Sequence, residues 1–380
     1  MYAEADDATR EEVIVPLLDI LPADATRYDI VSLGEVMLRL DPGDHRIASA
    51  RHFEAWEGGA EYNVARSGRQ TFGLRGAIVT AFADNEIGRL LGNLLAMSGL
   101  DLDFVRWRPY DGIGQAVRNG LYFAERGFGV RGAVACSDRG HTAISQLTPE
   151  DIDLHELFEV RRTRWFHTGG IMAGLSEQAA ATTEAVVAAA KAAGAIVSYD
   201  LNYRPSLWAS HGGLEGCRAV NRRLAAQVDV VFGNEEDYDT CLGIAAPGTD
   251  ASYARLDPRA YQTMIERTVE QYPNLKVAAV SLRQVVSASI NDWGGLAWSA
   301  PTGFVAATPR PGLEIYDRVG GGDSFAAGVI YGLFHDDLQL GVEYGAANGA
   351  IAMTTPGDTT TASLAEVRRL AEGGSARIQR

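Results

Sequence analysis

The chain has 380 residues, of which 46% are hydrophobic and 22% charged, and its formal net charge at pH 7 is -15. That length buries a large core, and the composition is that of an ordinary globular protein, which excludes a disordered or fibrous chain. The acid excess argues against nucleic acid or an anionic membrane as partner. It leaves room for an anionic small molecule held by a local arginine cluster.

In chain order, residues 1–27 read as an acidic N-terminal extension. Glu4, Asp6 and Asp7 stand where an export signal would be basic, and residues 13–21 hold one apolar patch. Disorder or docking onto the body is the expected fate of this extension. Residues 28–40 read as a first strand that ends near Asp41-Pro42-Gly43. Residues 54–73 open with Gly58-Gly59 and continue as a helix, followed by a buried strand at 75–83 and a helix at 86–98. Between 104 and 146 the texture changes to short alternating pieces split by glycines, as in antiparallel strands. Together with material from about 36–57 these pieces are expected to form a small separate sheet.

A regular alternation follows: a strand at 165–168, a helix at 176–193, strands at 195–200 and 228–232, a helix at 260–271 and a strand at 276–281. This order predicts right-handed crossovers and a mostly parallel sheet with helices on both faces, an α/β domain over 28–380. The Ala-rich run at 179–197 is interrupted by Glu184 and Lys191, so no membrane span is expected. Cys136, Cys217 and Cys241 are widely spaced, without metal-ligand spacing, which predicts reduced thiols in a cytoplasmic protein. His141, His167 and His335 also lack ligand spacing and read as structural.

In a parallel α/β sheet, ligands bind beyond the carboxyl ends of the strands. Polar signatures fall there: Gly34-Glu35, Asp200-Leu201-Asn202, Gly233-Asn234 and Ser281-Leu282-Arg283. The most informative stretch is Asp317-Arg318-Val319-Gly320-Gly321-Gly322-Asp323-Ser324, which precedes an apolar, small-residue helix over 325–333. Glycines at a helix N-terminus turn N–H groups toward an anion, and the macrodipole assists. Asp323 inside such a nest repels a phosphate unless it serves to take a proton. A cradle with a fixed base suits phosphoryl transfer to a hydroxyl; the alternative is a glycine turn with Asp323 as a helix cap.

Gly58-Gly59-Ala60-Glu61-Tyr62-Asn63 suits a polyol bound near Asn63, or is a plain helix-start turn. Arg204 can hold a carboxylate or phosphate with its planar fork, or make a surface salt bridge. Arg139 has the same two readings. Asn234-Glu235-Glu236-Asp237 could hold the waters of a magnesium ion, or form an acid-rich helix N-terminus.

Together these segments resemble the ribokinase-like (PfkB) sugar kinases, and within them the 2-keto-3-deoxygluconate kinases, in colinear order over about 28–369. The run AANGAIAMTTPGDTTTAS at 346–363 resembles that subgroup's C-terminal part. The resemblance implies a three-layer core and a small β-sheet lid that closes over the sugar and often forms a dimer contact. It implies ATP, Mg2+ and potassium as small-molecule partners, with Asp323 as base and the amides of Gly320, Gly321 and Gly322 as anion hole. Gly34, Gly59, Asn63, Tyr122, Arg139 and Arg204 would meet the sugar acid, Arg204 through its carboxylate. Asn234, Ser281, Arg283 and Asn348 would lie along the nucleotide, with Asp237 near magnesium through water and Asp317 at a monovalent cation. The chain departs from the family in reading Ser137-Asp138-Arg139 for Tyr-Asp-Arg, Asn234-x-x-Asp237 for Asn-x-x-Glu, and Gly-Gly-Gly-Asp for Gly-Ala-Gly-Asp. The implied reaction is phosphorylation of 2-keto-3-deoxygluconate at its 6-position. A neutral-sugar kinase such as a fructokinase, and a non-catalytic sugar-acid sensor, are the alternatives.

Overall fold

The computed structural model describes residues 16–248 and 258–374. Apolar runs bounded by polar turns build fourteen strands: β1 (Tyr28–Leu33), β2 (Met37–Asp41), β3 (Glu54–Gly58), β4 (Gly76–Ala83), β5 (Val105–Arg108), β6 (Leu121–Glu125), β7 (Val134–Asp138), β8 (Thr163–Gly169), β9 (Ile196–Asp200), β10 (Val230–Gly233), β11 (Val277–Ser287), β12 (Ile290–Ser299), β13 (Gly303–Ala306) and β14 (Arg310–Glu314). Ten of them form one sheet in the order β13-β12-β11-β10-β9-β8-β1-β4-β5, with β14 paired to β12. From β5 to β11 every pairing is parallel.

A sheet covered on both faces needs strands apolar on both sides, and the period of two shows it. Along β11, Ala278 and Val280 enter one core while Val277 and Ala279 enter the other. Helices Glu177–Ala192, Gly213–Ala225 and Pro258–Gln271 cover the first face, and helices Gly321–Phe334 and Leu338–Ala352 the second. The last two approach closely because glycines line their contact: a Cβ on Gly345 would stand 2.6 Å from the Phe325 carbonyl oxygen. Gly345→Ala is therefore expected to cost about 1–3 kcal/mol of stability by overpacking, read as a lower denaturant midpoint with an unchanged slope.

The second sheet has the order β3-β2-β6-β7. Two features of it differ from the sequence reading. Residues 28–40 are two strands, because the chain leaves the core sheet at Gly34 and enters the small sheet at Met37. The 104–146 region is divided as well: β5 joins the edge of the core sheet beside β4, and only β6 and β7 belong to the small sheet. The small sheet is mixed, since β2 runs parallel to β6. A parallel pair needs a long connection, here the whole excursion through β4 and β5.

The apolar patch at 13–21 is described from Pro16 onward; residues 1–15 lie outside the described residues. Leu18 is buried in the core of the second face, the Leu17 N–H donates to Asp336 Oδ1 (2.7 Å), and Arg164 Nε donates to the Leu21 carbonyl (2.7 Å). No helix among the described residues is long and apolar enough to cross a membrane.

Candidate active site

The carboxyl ends of β1, β8, β9 and β10 open toward the small sheet, which folds down over them. Arg139, just after β7, places Nε 2.8 Å and Nη2 2.5 Å from Glu35 Oε2 in the turn after β1. At the other end of the lid, the Gly129 N–H donates to Ser289 Oγ (2.9 Å), the Ala288 N–H to the Gly129 carbonyl (2.9 Å), and the Arg126 guanidinium lies 3.9 Å from the Tyr316 ring centre. The core reaches up to this contact through the β11–β12 hairpin.

Gly320 takes a left-handed conformation (φ 78°), which turns the chain sharply into the helix Gly321–Phe334. Gly322 is exposed at the helix start while Asp323, one residue on, points into the protein. Asn63, on the first turn of the helix Ala60–Gln70, donates through Nδ2 to Asp323 Oδ2 (2.7 Å). Burial pushes the Asp323 carboxyl up to about 7; the Asn63 hydrogen bond and the Arg204 charge pull against this, while Asp358 adds to it. A carboxyl poised near neutrality, held by an amide at the mouth of a glycine turn, can accept a proton from a hydroxyl.

Two further carboxyls, unassigned by the sequence reading, form the floor. Glu61 is buried between the ends of β1 and β8: the Met172 N–H donates to its Oε1 (3.2 Å), and a Cβ on Gly34 would collide with its Oε2. Burial raises the Glu61 carboxyl to about 7, with Asp323 adding to the rise. A Cβ on Gly59 would collide with the Glu35 carbonyl oxygen, so the helix start and the β1 turn are in direct contact. Glu61 Oε2 and Glu35 Oε1 are both buried without a hydrogen-bond partner. Buried polar atoms left in this state are costly, and the cost is offset at a site whose ligand supplies hydroxyls.

Arg204 follows Asn202, which holds a left-handed turn (φ 37°) after β9. Its side chain is exposed; among the described residues Nη1 donates to the neighbouring Tyr203 carbonyl (2.7 Å), and its charge acts on Asp323, Asp200 and Tyr122. Tyr122, on β6, pairs with Arg39 of β2; burial pushes its hydroxyl up to about 12, with the Asp358 charge adding to the rise. Arg283 on β11 is lowered by burial and by the neighbouring Arg318 charge, against which Glu235 acts. Arg204, Arg283 and Arg318 thus make a local basic patch in an acidic chain. Arg318, next to the glycines, carried that signal in the sequence without being assigned a role.

The other assigned residues have the following surroundings. Asp237 accepts backbone N–H groups: its Oδ2 accepts the Asn234 N–H (2.9 Å) and its Oδ1 the Tyr203 N–H (2.8 Å), while Asn234 Oδ1 accepts the Asp237 N–H (2.9 Å). This reciprocal cap is the acid-rich helix start; it uses Asp237 Oδ2, while Oδ1 is held by Tyr203, and each oxygen keeps a second lone pair. Asn348 keeps its Oδ1 buried without a hydrogen-bond partner among the described residues. It is fully buried between helices, donating to Ser67 Oγ (2.9 Å) and to the Ser324 carbonyl (2.9 Å). Ser281 sits two residues before Arg283 on β11, half-buried. Asp317 faces Arg39 with one oxygen and the Val319 N–H with the other (3.1 Å). His167 is buried against Ser198 Oγ (2.8 Å), and burial holds its ring down to about 3, hence neutral.

The chain matches the pfkB family of carbohydrate kinases over residues 27–364. It belongs to that family. The kinase is 27% identical over 354 residues to a 2-dehydro-3-deoxygalactonokinase of Haloferax volcanii, covering 93% of this chain and 99% of that one. It is 26% identical to a 5-dehydro-2-deoxygluconokinase of Geobacillus kaustophilus, covering 89% and 92% of the two chains. Among solved structures, the 2-dehydro-3-deoxygluconokinase of Thermotoga maritima superposes with a TM-score of 0.82 at 34% identity, covering 90% of this chain and 99% of that one. The protein is therefore a phosphotransferase of the carbohydrate kinases, with a sugar as acceptor.

Proposed function

We propose that this kinase phosphorylates the 6-hydroxyl of a 2-keto-3-deoxy sugar acid, 2-keto-3-deoxygluconate or its galactonate epimer. The observation that carries this reading is an exposed, uncommitted guanidinium, Arg204, acting on the same cleft as the buried Asp323 carboxyl. A sugar acid needs a cation at one end and a base at the other, and the cleft supplies both. The relatives' names fall on the same kind of substrate.

In this reading the sugar lies on Gly34, Gly59 and Asn63, under Tyr122 and Arg139 of the lid. Its carboxylate meets Arg204, and its middle hydroxyls donate to Glu35 Oε1 and exchange hydrogen bonds with Glu61. Asp323 takes the proton of the reacting hydroxyl as the oxygen attacks the terminal phosphorus in line, and the bond from that phosphorus to the bridging oxygen breaks to release ADP. The amides of Gly320, Gly321 and Gly322 hold the transferring phosphoryl oxygens, and Arg283 and Arg318 balance the phosphate charge. Asn234 and Ser281 border the nucleotide. Magnesium, when bound with the phosphates, would neutralise their charge; Asp237, each of whose oxygens accepts one backbone N–H and keeps a second lone pair, would reach it through water. The closed lid keeps water from the cleft, which prevents wasteful hydrolysis. β7 is exposed along its whole length and would serve as the contact with a second copy, in the cytoplasm where the thiols stay reduced.

ATP consumption over a panel of 2-keto-3-deoxygluconate, its galactonate epimer, gluconate, fructose and ribose tests the reading. Selective turnover of the keto-deoxy acids is the expected result. Turnover of fructose or ribose instead would keep the kinase and overturn the sugar-acid assignment. Nucleotide and sugar-acid binding without any turnover would favour a sensor.

A further inference from the structure

Arg39 is wholly buried on β2, between the apolar Leu38 and Leu40. A buried guanidinium persists only when carboxylates surround it. Three do so here: Asp41 Oδ2 lies 2.9 Å from Nη2, Asp358 Oδ1 lies 2.5 Å from Nη1, and Asp317 Oδ2 also accepts from Nη2. Burial by itself would favour the neutral side chain, and the Asp358 and Asp317 charges more than reverse that, so Arg39 stays charged.

Two of these partners flank the glycine cradle. Asp317 receives the Val319 N–H (3.1 Å) immediately before Gly320, and a Cβ on Gly320 would run into the Asp358 carbonyl oxygen. Arg39 therefore joins a lid strand to both walls of the turn that presents the Gly320–Gly322 amides. The same place is where the family resemblance puts a monovalent cation, at Asp317 and the Val319 backbone. The residues present do not fit one. One Asp317 oxygen faces a guanidinium and the other an N–H, so a potassium ion there would stand against fixed positive groups rather than in a ring of oxygens.

We propose that the Arg39 guanidinium takes the place of the monovalent cation behind the cradle, so that this kinase works without potassium and the cradle is positioned from the lid. The proposal rests on the kinase reading above. It treats Arg39 as a positioning residue, since no atom of it meets substrate.

The experiment follows wild-type kinetics and thermal unfolding while potassium is exchanged for choline at constant ionic strength. The expected result is a kcat that changes by less than about twofold and a Tm that does not move. A kcat that rises tenfold or more with potassium, on the scale of about 1.4 kcal/mol, or a Tm that climbs with potassium but not with sodium or choline, would overturn the proposal. Arg39→Gln is the companion variant. It is expected to lose at least roughly tenfold in kcat, with a smaller change in the sugar KM, and to regain activity when potassium fills the vacated place. A folded Arg39→Gln enzyme with wild-type kcat would overturn the positioning role. If that variant does not fold, the wild-type series alone decides. If the wild type turns over no sugar, the kinase reading fails, while the Tm series still reads whether potassium binds.

Discussion

Asp323→Asn is expected to lower kcat by at least ~100-fold while leaving sugar affinity near the wild-type value, measured by steady-state kinetics and by calorimetric titration of the sugar. The side chain keeps its size and its contact with Asn63, so what is lost is the acceptor for the hydroxyl proton. The pH profile makes the same assignment. With the Asp323 carboxyl raised to about 7, wild-type kcat/KM should rise through that pH and level off above it, and the variant should lack this limb. Stability runs the other way. A carboxyl whose folded pKa lies above its unfolded value contributes stability that is fully present below the unfolded pKa, near 3.8, and lost as pH rises through about 7. Asp323→Asn removes that loss, so the unliganded variant should unfold at a higher temperature than wild type at pH 8, with the gap closing toward pH 5. A variant with near-normal turnover would remove Asp323 from the role of base.

Arg204→Ala is expected to reduce kcat/KM for the keto-deoxy acids by roughly 30- to 150-fold, corresponding to about 2–3 kcal/mol for a lost charge-assisted pair, and to change neutral sugars only slightly. The guanidinium makes one hydrogen bond, to the adjacent Tyr203 carbonyl, so its truncation breaks little of the fold. Competition kinetics between a keto-deoxy acid and fructose read the difference within one enzyme preparation. Equal losses on both would place Arg204 on the nucleotide's phosphates, beside Arg283 and Arg318, and return the sugar's carboxylate to Arg139. That alternative has an electrostatic cost, because Arg139 is already paired with Glu35 (2.5 Å) and would have to exchange partners.

The two predictions draw on residues of different legibility. Asp323 stood out because its surroundings are local: three glycines before it and a small-residue helix after it specify a turn that aims N–H groups at one point. Arg204 stood out because it follows an apolar strand that ends abruptly in Asp200. Glu35 and Glu61 carry no such local mark, although each is a carboxyl at the edge of an apolar element. Their meaning depends on being buried with an oxygen unpartnered, which is a property of the surroundings. Asp237 shows the converse. Its acid-rich neighbourhood fits a hydrated ion or a helix cap, and only the folded chain shows that the Asn234 and Tyr203 N–H groups meet it.

By itself the sequence determined the alternation of apolar strands and amphipathic helices, hence the parallel core, and the glycine turn that puts Asp323 at the start of its helix. These depend on backbone preferences and side-chain periods that are complete within a dozen neighbouring residues. Only the tertiary structure decided that residues 28–40 divide between two sheets, that β5 belongs to the core, that Asn348 is buried, and that Arg39 meets Asp358 across 319 positions of chain. Those outcomes turn on which distant groups topology brings together and on how much water it removes from between them. Strand pairing and desolvation act between segments, and no single stretch of chain carries them.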